Sequence, residues 1–402
     1  MQRLGYLKHV VRRVVAVETS SLDNLGTDLI QTVMRKERVP LTDERVSYIQ
    51  RRLYDPAYDT IKKEAALWHV GEERTVAMEL QDLYLADASL PSQTGKLTRE
   101  DWRKYPPLGV ALGLIRAGTY SANTRAFSLL HLTPGREFQA FLQYLPDANP
   151  FRLTRTQGLL LLYTLLENDG EVMAPLLSQL AGSGASGFTD RDVGDRLPKI
   201  YRDLVKRHRS RGLPPEQRDR LQVLSKAADS IEKWRERRYT GGGANVETSR
   251  PRVEPYVDIG LLHKADPYRY SYALTQAGLV WAEAFTGVET DAEISTFLGN
   301  HFFATAAKAW EVPAMPIGDR DSIVRHSHRA WQAIRSAGGY APIEEIALVA
   351  GIHALCDDGL ILEPKMVWDA VISYQKDHPY QVRFTVNRMG VLAHARFVKE
   401  PG

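Results

Sequence analysis

Cysteine is nearly absent: Cys356 is the one thiol in 402 residues. An internal disulfide and a cysteine-rich zinc site are both excluded, which fits a reducing, cytoplasmic setting with Cys356 packed in a core. No apolar run reaches the roughly 18 residues of a membrane span. The first residues are basic and briefly apolar, but Arg12 and Arg13 break the run and no small-residue cleavage site follows, so no signal peptide is expected. An excess of one charge is also lacking, since 52 Lys and Arg face 49 Asp and Glu for a net of +3. Global charge therefore argues little for a polyanionic partner, and local distribution has to carry that question. Catalytic signatures are missing too: the chain has no Gly-Lys-Ser/Thr phosphate loop, Gly-x-Ser-x-Gly, His-Glu-x-x-His, Cys-x-x-Cys or dinucleotide-binding glycine pattern. Gly182 to Gly187 is glycine-rich but follows no strand, and reads as a flexible loop. His326 and His328 stand two apart, which on a helix turns them to different sides. No metal or other cofactor is expected, and a non-enzyme is favoured over an enzyme assembled from dispersed residues.

What is present is an ordinary globular composition, 44% hydrophobic and 25% charged, long enough for two to four domains. One stretch organises the rest, from Ser249 to Phe285. Arg250, Arg252, Val253, Tyr256, Val257 and Ile259 form a basic-then-apolar helix that Gly260 is suited to end. Leu261 and Leu262 then enter a strand, Lys264 to Pro267 turns, and Tyr268, Tyr270, Tyr272 and Leu274 alternate with the period of a half-buried strand. Thr275 is placed to cap the following helix. The pattern recurs. Pro267, Tyr268, Tyr272, Leu274 and Gly278 align without a gap on Pro379, Tyr380, Phe384, Val386 and Gly390, and Leu112 to Ile115 match Ile259 to Leu262.

On these residues the chain resembles the winged-helix superfamily, in which a helix ending in Gly-Leu-(Leu/Ile) feeds a two-stranded wing. The resemblance implies three units and a mainly α, multidomain array of helical segments and winged-helix units with short β-hairpin wings. Four regions are expected: 1–133, a helical region with a first wing-like strand pair at Leu114 to Leu132; 134–240, helical and basic; 241–312, the central winged helix and a following helix; and 313–402, the last winged helix. Amphipathic helices fill Leu22 to Ala88, Thr98 with Asp101 and Thr154 with Gln157 read as capping pairs, and Gly241 to Gly243 marks a linker. Asp169-Gly170 ends one helix, Thr189 with Asp192 opens the next, and Ala292 to Trp310 reads as a single helix. In the tail, Ser322 to Ser336, Pro342 to Leu355 and Pro364 to Tyr374 read as three helices ahead of a hairpin from Tyr380 to Val398. Glu344-Glu345 suits a helix start and Asp357-Asp358-Gly359 a turn.

The resemblance implies nucleic-acid binding, double-stranded DNA first, through the start of each third helix and the wing. That nominates Arg250, Arg252, Lys264 and Arg269 in the central unit, Arg99, Arg103, Lys104 and Arg116 in the first, and Lys365, Arg383 and Arg388 in the last. Residues 196–238 hold 14 Lys and Arg against 6 Asp and Glu, and Lys206, Arg207, Arg209 and Arg211 extend the footprint. The alternative is a scaffold whose winged helices dock proteins. By architecture the chain looks like an accessory subunit of a bacterial DNA-processing or antiviral defence complex, with protein partners and no membrane.

Overall fold

The computed structural model describes residues 112–114, 123–133, 153–182, 187–209, 250–266, 271–336, 338–387 and 390–401, with parts of 221–232 and three isolated N-terminal residues. The chain divides into two compact units, residues 1–164 with 314–402 and residues 165–313. The described part is mainly α, with few short strands. The helices expected between Leu22 and Ala88, the Thr98–Asp101 pair and the linker at Gly241 to Gly243 lie outside the described residues.

In the first unit, helix α1 (Thr124–His131) stands where a wing-like strand pair was expected at Leu114 to Leu132. The difference lies in Asn123. It is an N-cap: its Oδ1 accepts from the Thr124 N–H at 2.9 Å, and its Nδ2 donates to the Gly113 carbonyl. Helix α2 (Arg155–Ala181) starts on the expected capping box, with the Thr154 N–H donating to Gln157 Oε1 and the Gln157 N–H donating to Thr154 Oγ1. It starts in the first unit and ends in the second. At Asp169 the backbone leaves helical geometry (φ −141°, ψ 18°), so the Asp-Gly pair breaks the helical path and a second helical stretch continues from there.

The second unit then runs β1 (Phe188–Thr189), α3 (Asp190–Arg209), α4 (Arg250–Ile259), β2 (Leu262–Asp266) and β3 (Ser271–Leu274). Thr189 and Asp192 cap α3 reciprocally, as their spacing implies. Gly260 ends α4 with φ +84°, a left-handed conformation that a Cβ would oppose. The three strands order as β1-β3-β2, all antiparallel, with Lys264 opposite Tyr272 and Leu262 opposite Leu274. Thr275 Oγ1 accepts from the Gly278 N–H and opens α5 (Gln276–Ala284). A Cβ at Gly278 would lie 2.0 Å from the Leu261 carbonyl oxygen, so only glycine lets this helix start so close to the preceding strand. Two helices follow, α6 (Asp291–Asn300) and α7 (Phe302–Ala309), in place of the single one expected from Ala292 to Trp310. His301 separates them at φ −135°. The break brings Phe297 and Phe302 onto one indole, Trp281, which continuous apolar spacing does not reveal.

The remainder of the first unit runs β4 (Met315–Pro316), α8 (Arg320–Ile334), β5 (Ala341–Pro342), α9 (Ile343–Asp358), β6 (Leu360–Ile361), α10 (Pro364–Asp377), β7 (Val382–Val386) and β8 (Leu392–Phe397). The three helices and the hairpin fall where the sequence placed them. Asp357 and Asp358 form the last turn of α9 rather than a separate turn, and Gly359 follows as the left-handed cap. β5, β8 and β7 form an antiparallel sheet in that order, while β4 pairs with β6 in parallel. Trp331, Ile346, Val349, Val371, Val382 and Phe397 are among the residues of its core.

In both units a helix, a short strand, further helices and a hairpin follow in that order, and the short strand (β1 or β5) pairs with the last strand of the hairpin; β4 and β6 of the first unit have no counterpart among the described residues of the second. The repeat lies in this topology and not in the gapless alignment. That alignment sets Tyr272 of β3, a central strand, on Phe384 of β7, an edge strand. Strands share the same two-residue period, so alternation alone cannot tell the outgoing strand of a hairpin from the returning one.

Candidate functional site

Of the cations nominated on α4 and its hairpin in the second unit, Arg252 and Lys264 are described, and both are partly buried and paired. Arg252 is ion-paired with Asp169, donates from Nε to the Tyr201 hydroxyl at 3.1 Å and lies over the Tyr201 ring. Lys264 Nζ sits 3.2 Å from Glu254 Oε2, and this fully buried carboxylate also accepts from the Tyr272 hydroxyl at 2.8 Å. Val253, Glu254, Pro255, Tyr256 and Ile259 are all buried, so the described part of α4 presents no open cationic face. The charges of Arg252 and Lys264 are spent on pairs within the unit, because burying a carboxylate such as Glu254 requires a partner at that depth. On α3, Lys206 is exposed and Arg207 pairs with Glu289 at 2.7 Å. His208 meets the buried Glu171 at 2.7 Å. Of the other nominated cations, Arg99, Arg103, Lys104, Arg116, Arg211, Arg269 and Arg388 lie outside the described residues, as do the side chains of Arg209 and Arg250.

The first unit places its cations differently. On α10, exposed Lys365 pairs with Asp369 at 3.2 Å one turn on, and Lys376 stands beside Asp377, so the helix is close to neutral outside. Arg383 is exposed on β7 and stands directly opposite Arg396 of β8. Thr385 and His394 form the next outward pair, joined at 3.3 Å, while Val382, Ala395 and Phe397 face the core. Two arginines opposite each other repel unless an anion comes between or near them. Sequence reasoning named Arg383 and missed Arg396. The alternation of outward charge on both strands was the signal that could have found it.

Helices α1, α8 and α9 of this unit carry a histidine cluster. His131 and His353 meet through their Nε2 atoms at 3.0 Å, and His353 Nδ1 lies 2.8 Å from Asp357 Oδ2. Arg329 reaches Asp357 at 3.0 Å and Asp358 at 3.6 Å, and His326 lies 3.7 Å from Asp358. His328 is buried, stacked on Trp331 and edge-on to Phe397. Loss of surrounding water holds His131, His326 and His328 below the ordinary imidazole value, with His353 and Arg329 adding to the effect at His131 and Asp357 opposing it. The unfolded chain therefore binds more protons than the folded one just below that value. Stability is fully present above about pH 6.5, the ordinary imidazole pKa, and is lost as the pH falls through the depressed values. The urea midpoint of this unit is expected to be higher at about pH 8 than at about pH 5.5, with the difference shrinking when His328 is replaced by phenylalanine. Equal midpoints would contradict it.

Burial pushes the half-buried Cys356 thiol up to about 11, which leaves it protonated and a poor nucleophile. Among the described residues, no three His, Cys, Asp or Glu side chains converge to hold a metal ion, and no helix is long and apolar enough to cross a membrane. No protein-family model, no curated protein and no solved structure matches this chain.

Proposed function

We propose that this chain is a non-catalytic, nucleic-acid-binding protein built from winged-helix units, with double-stranded DNA its first target. The observation that supports it most is the facing pair Arg383 and Arg396 in the hairpin of a helix, strand, helix, helix, hairpin unit. In a winged helix that hairpin is the wing, and cations on it neutralise phosphates beside the groove. Exposed Lys206, at the end of a basic helix, adds a second phosphate contact. A role as accessory subunit in a bacterial DNA-processing or antiviral defence complex is part of this reading, by architecture alone.

The reading is tested by fluorescence anisotropy on labelled duplex and single-stranded DNA across a salt series. Arg383→Gln is the informative variant, since replacing Arg252 would break a buried pair and disturb the fold. The logarithm of the wild-type affinity is expected to fall linearly with log salt, and Arg383→Gln to weaken binding and lower the slope by about 1. Absence of binding to either DNA at low salt overturns the proposal. A second reading, a scaffold docking proteins, is favoured by the near-neutral outer face of α10 and by exposed Tyr380, Val386 and Val391 on the same hairpin.

A further inference from the structure

The end of α8 and the end of β8 enclose a polar pocket of about 290 Å³ in the first unit, lined by His328, Trp331, Arg335, Arg396, Lys399 and Glu400 among others. Three of these are exposed cations, and among the described residues none of the three forms an ion pair with a carboxylate. Two are held in place. The Arg335 guanidinium lies 4.8 Å from the centre of the Trp331 ring, and Arg396 lies 5.8 Å from that of Tyr340. Arg396 also crosses Gly339 so closely that an added Cβ there would meet Nε at 3.2 Å. Trp331 is fixed in turn, its Nε1 donating to the Gly339 carbonyl at 2.9 Å. An arginine stacked on a rigid ring has lost much of its rotamer freedom before any ligand arrives, which lowers the cost of binding. Arg383, opposite Arg396, adds a fourth positive charge at the rim.

One carboxylate, Glu400, opposes these, and the C-terminal end of α8 contributes a partial negative charge. Four cations still leave the site strongly positive. We propose that this pocket is a phosphate-binding site, the forked guanidinium groups of Arg335 and Arg396 taking two oxygens and Lys399 a third. It rests in part on the nucleic-acid reading, for a phosphate at a DNA end or in its backbone is one source and a free phosphate compound the other. The site is built from the end of α8 and the end of β8, so it extends the contact surface from the wing strand onto the first of the three helices.

The experiment is isothermal titration of the full chain with inorganic pyrophosphate, beside anisotropy on duplex DNA with and without a 5′-phosphate. Arg335→Gln, Arg396→Gln and their double variant are compared with Lys308→Gln, an exposed lysine of the second unit. Loss of a charge-assisted pair is expected to weaken pyrophosphate binding by about 10-fold per arginine, and Lys308→Gln is expected to bind as wild type does. Circular dichroism on the same samples separates loss of the site from loss of fold. Pyrophosphate that binds with these losses, while no DNA binds, keeps the pocket and removes the nucleic-acid reading. Duplex binding that survives in the double variant, with no pyrophosphate bound by wild type, keeps the nucleic-acid reading and removes the pocket. Absence of both kinds of binding removes both.

Discussion

Glu345→Ala is expected to cost the first unit about 3–5 kcal/mol, the range for breaking a buried charge pair by removing one partner. The Glu345 and Arg125 side chains are each 8% exposed and joined as an ion pair. Glu345 Oε2 also accepts from the Ser128 hydroxyl at 2.9 Å, and Arg125 Nη1 donates to Thr164 Oγ1 at 2.8 Å. The network pins α1, α2 and α9 together at one point. Deleting the carboxylate takes the Glu345 counter-charge away from a guanidinium held at depth beside Thr164 and the Tyr163 ring. The double variant Arg125→Met, Glu345→Leu removes both charges and is expected to lose less than the single one, because an apolar pair needs no counter-ion. Urea unfolding followed by circular dichroism decides. A loss below about 1 kcal/mol for Glu345→Ala would mean that water reaches the site and that the pair is effectively a surface one.

That network shows where sequence reading reaches its limit. Glu344-Glu345 was legible as a helix start, and α9 does start there; that one of the two glutamates turns inward to meet a residue more than two hundred positions away was not. Periodicity and caps are local signals, carried within a few residues, and so Thr154, Thr189, Thr275 and Gly260 could be placed in advance. Asn123 is a local signal too, but an asparagine serves a turn and a helix cap equally well, and the following Thr124 to Leu132 carries β-compatible residues. The sites suffered more than the fold. Arg252 and Lys264 had the residue type of a phosphate contact, yet their acidic partners Asp169 and Glu254 sit in or beside the same buried layer. A cation's partner is a three-dimensional fact. Conversely, Arg335 lies in one piece of sequence and Arg396 with Lys399 in another, with no basic run, and only the meeting of a helix end with a strand end brings them into one pocket.

Trp281→Ala is expected to destabilise the second unit by about 3–5 kcal/mol, the cost of removing a large buried aromatic. Trp281 is fully buried, and the ring centres of Phe285, Phe297, Phe302 and Trp310 all lie 5.3–6.0 Å from its own. These rings come from the residue after α5, from α6 and α7, and from the residue after α7, so one indole, itself on α5, fills the space among the three helices that follow the hairpin. Alanine would leave a cavity lined by rings that cannot close over it without leaving their rotamers. Its Nε1–H has no hydrogen-bond partner among the described residues, which separates packing from polarity. Trp281→Phe deletes that unpartnered donor and keeps most of the volume, so it is expected to lose no more than about 2 kcal/mol. Wild type and the phenylalanine variant unfolding within about 2 kcal/mol of each other, with the alanine variant far below both, is the result that packing requires. A phenylalanine variant as weak as the alanine one would instead mean that the indole N–H is bonded to buried water and that this bond, more than the ring, holds the three helices.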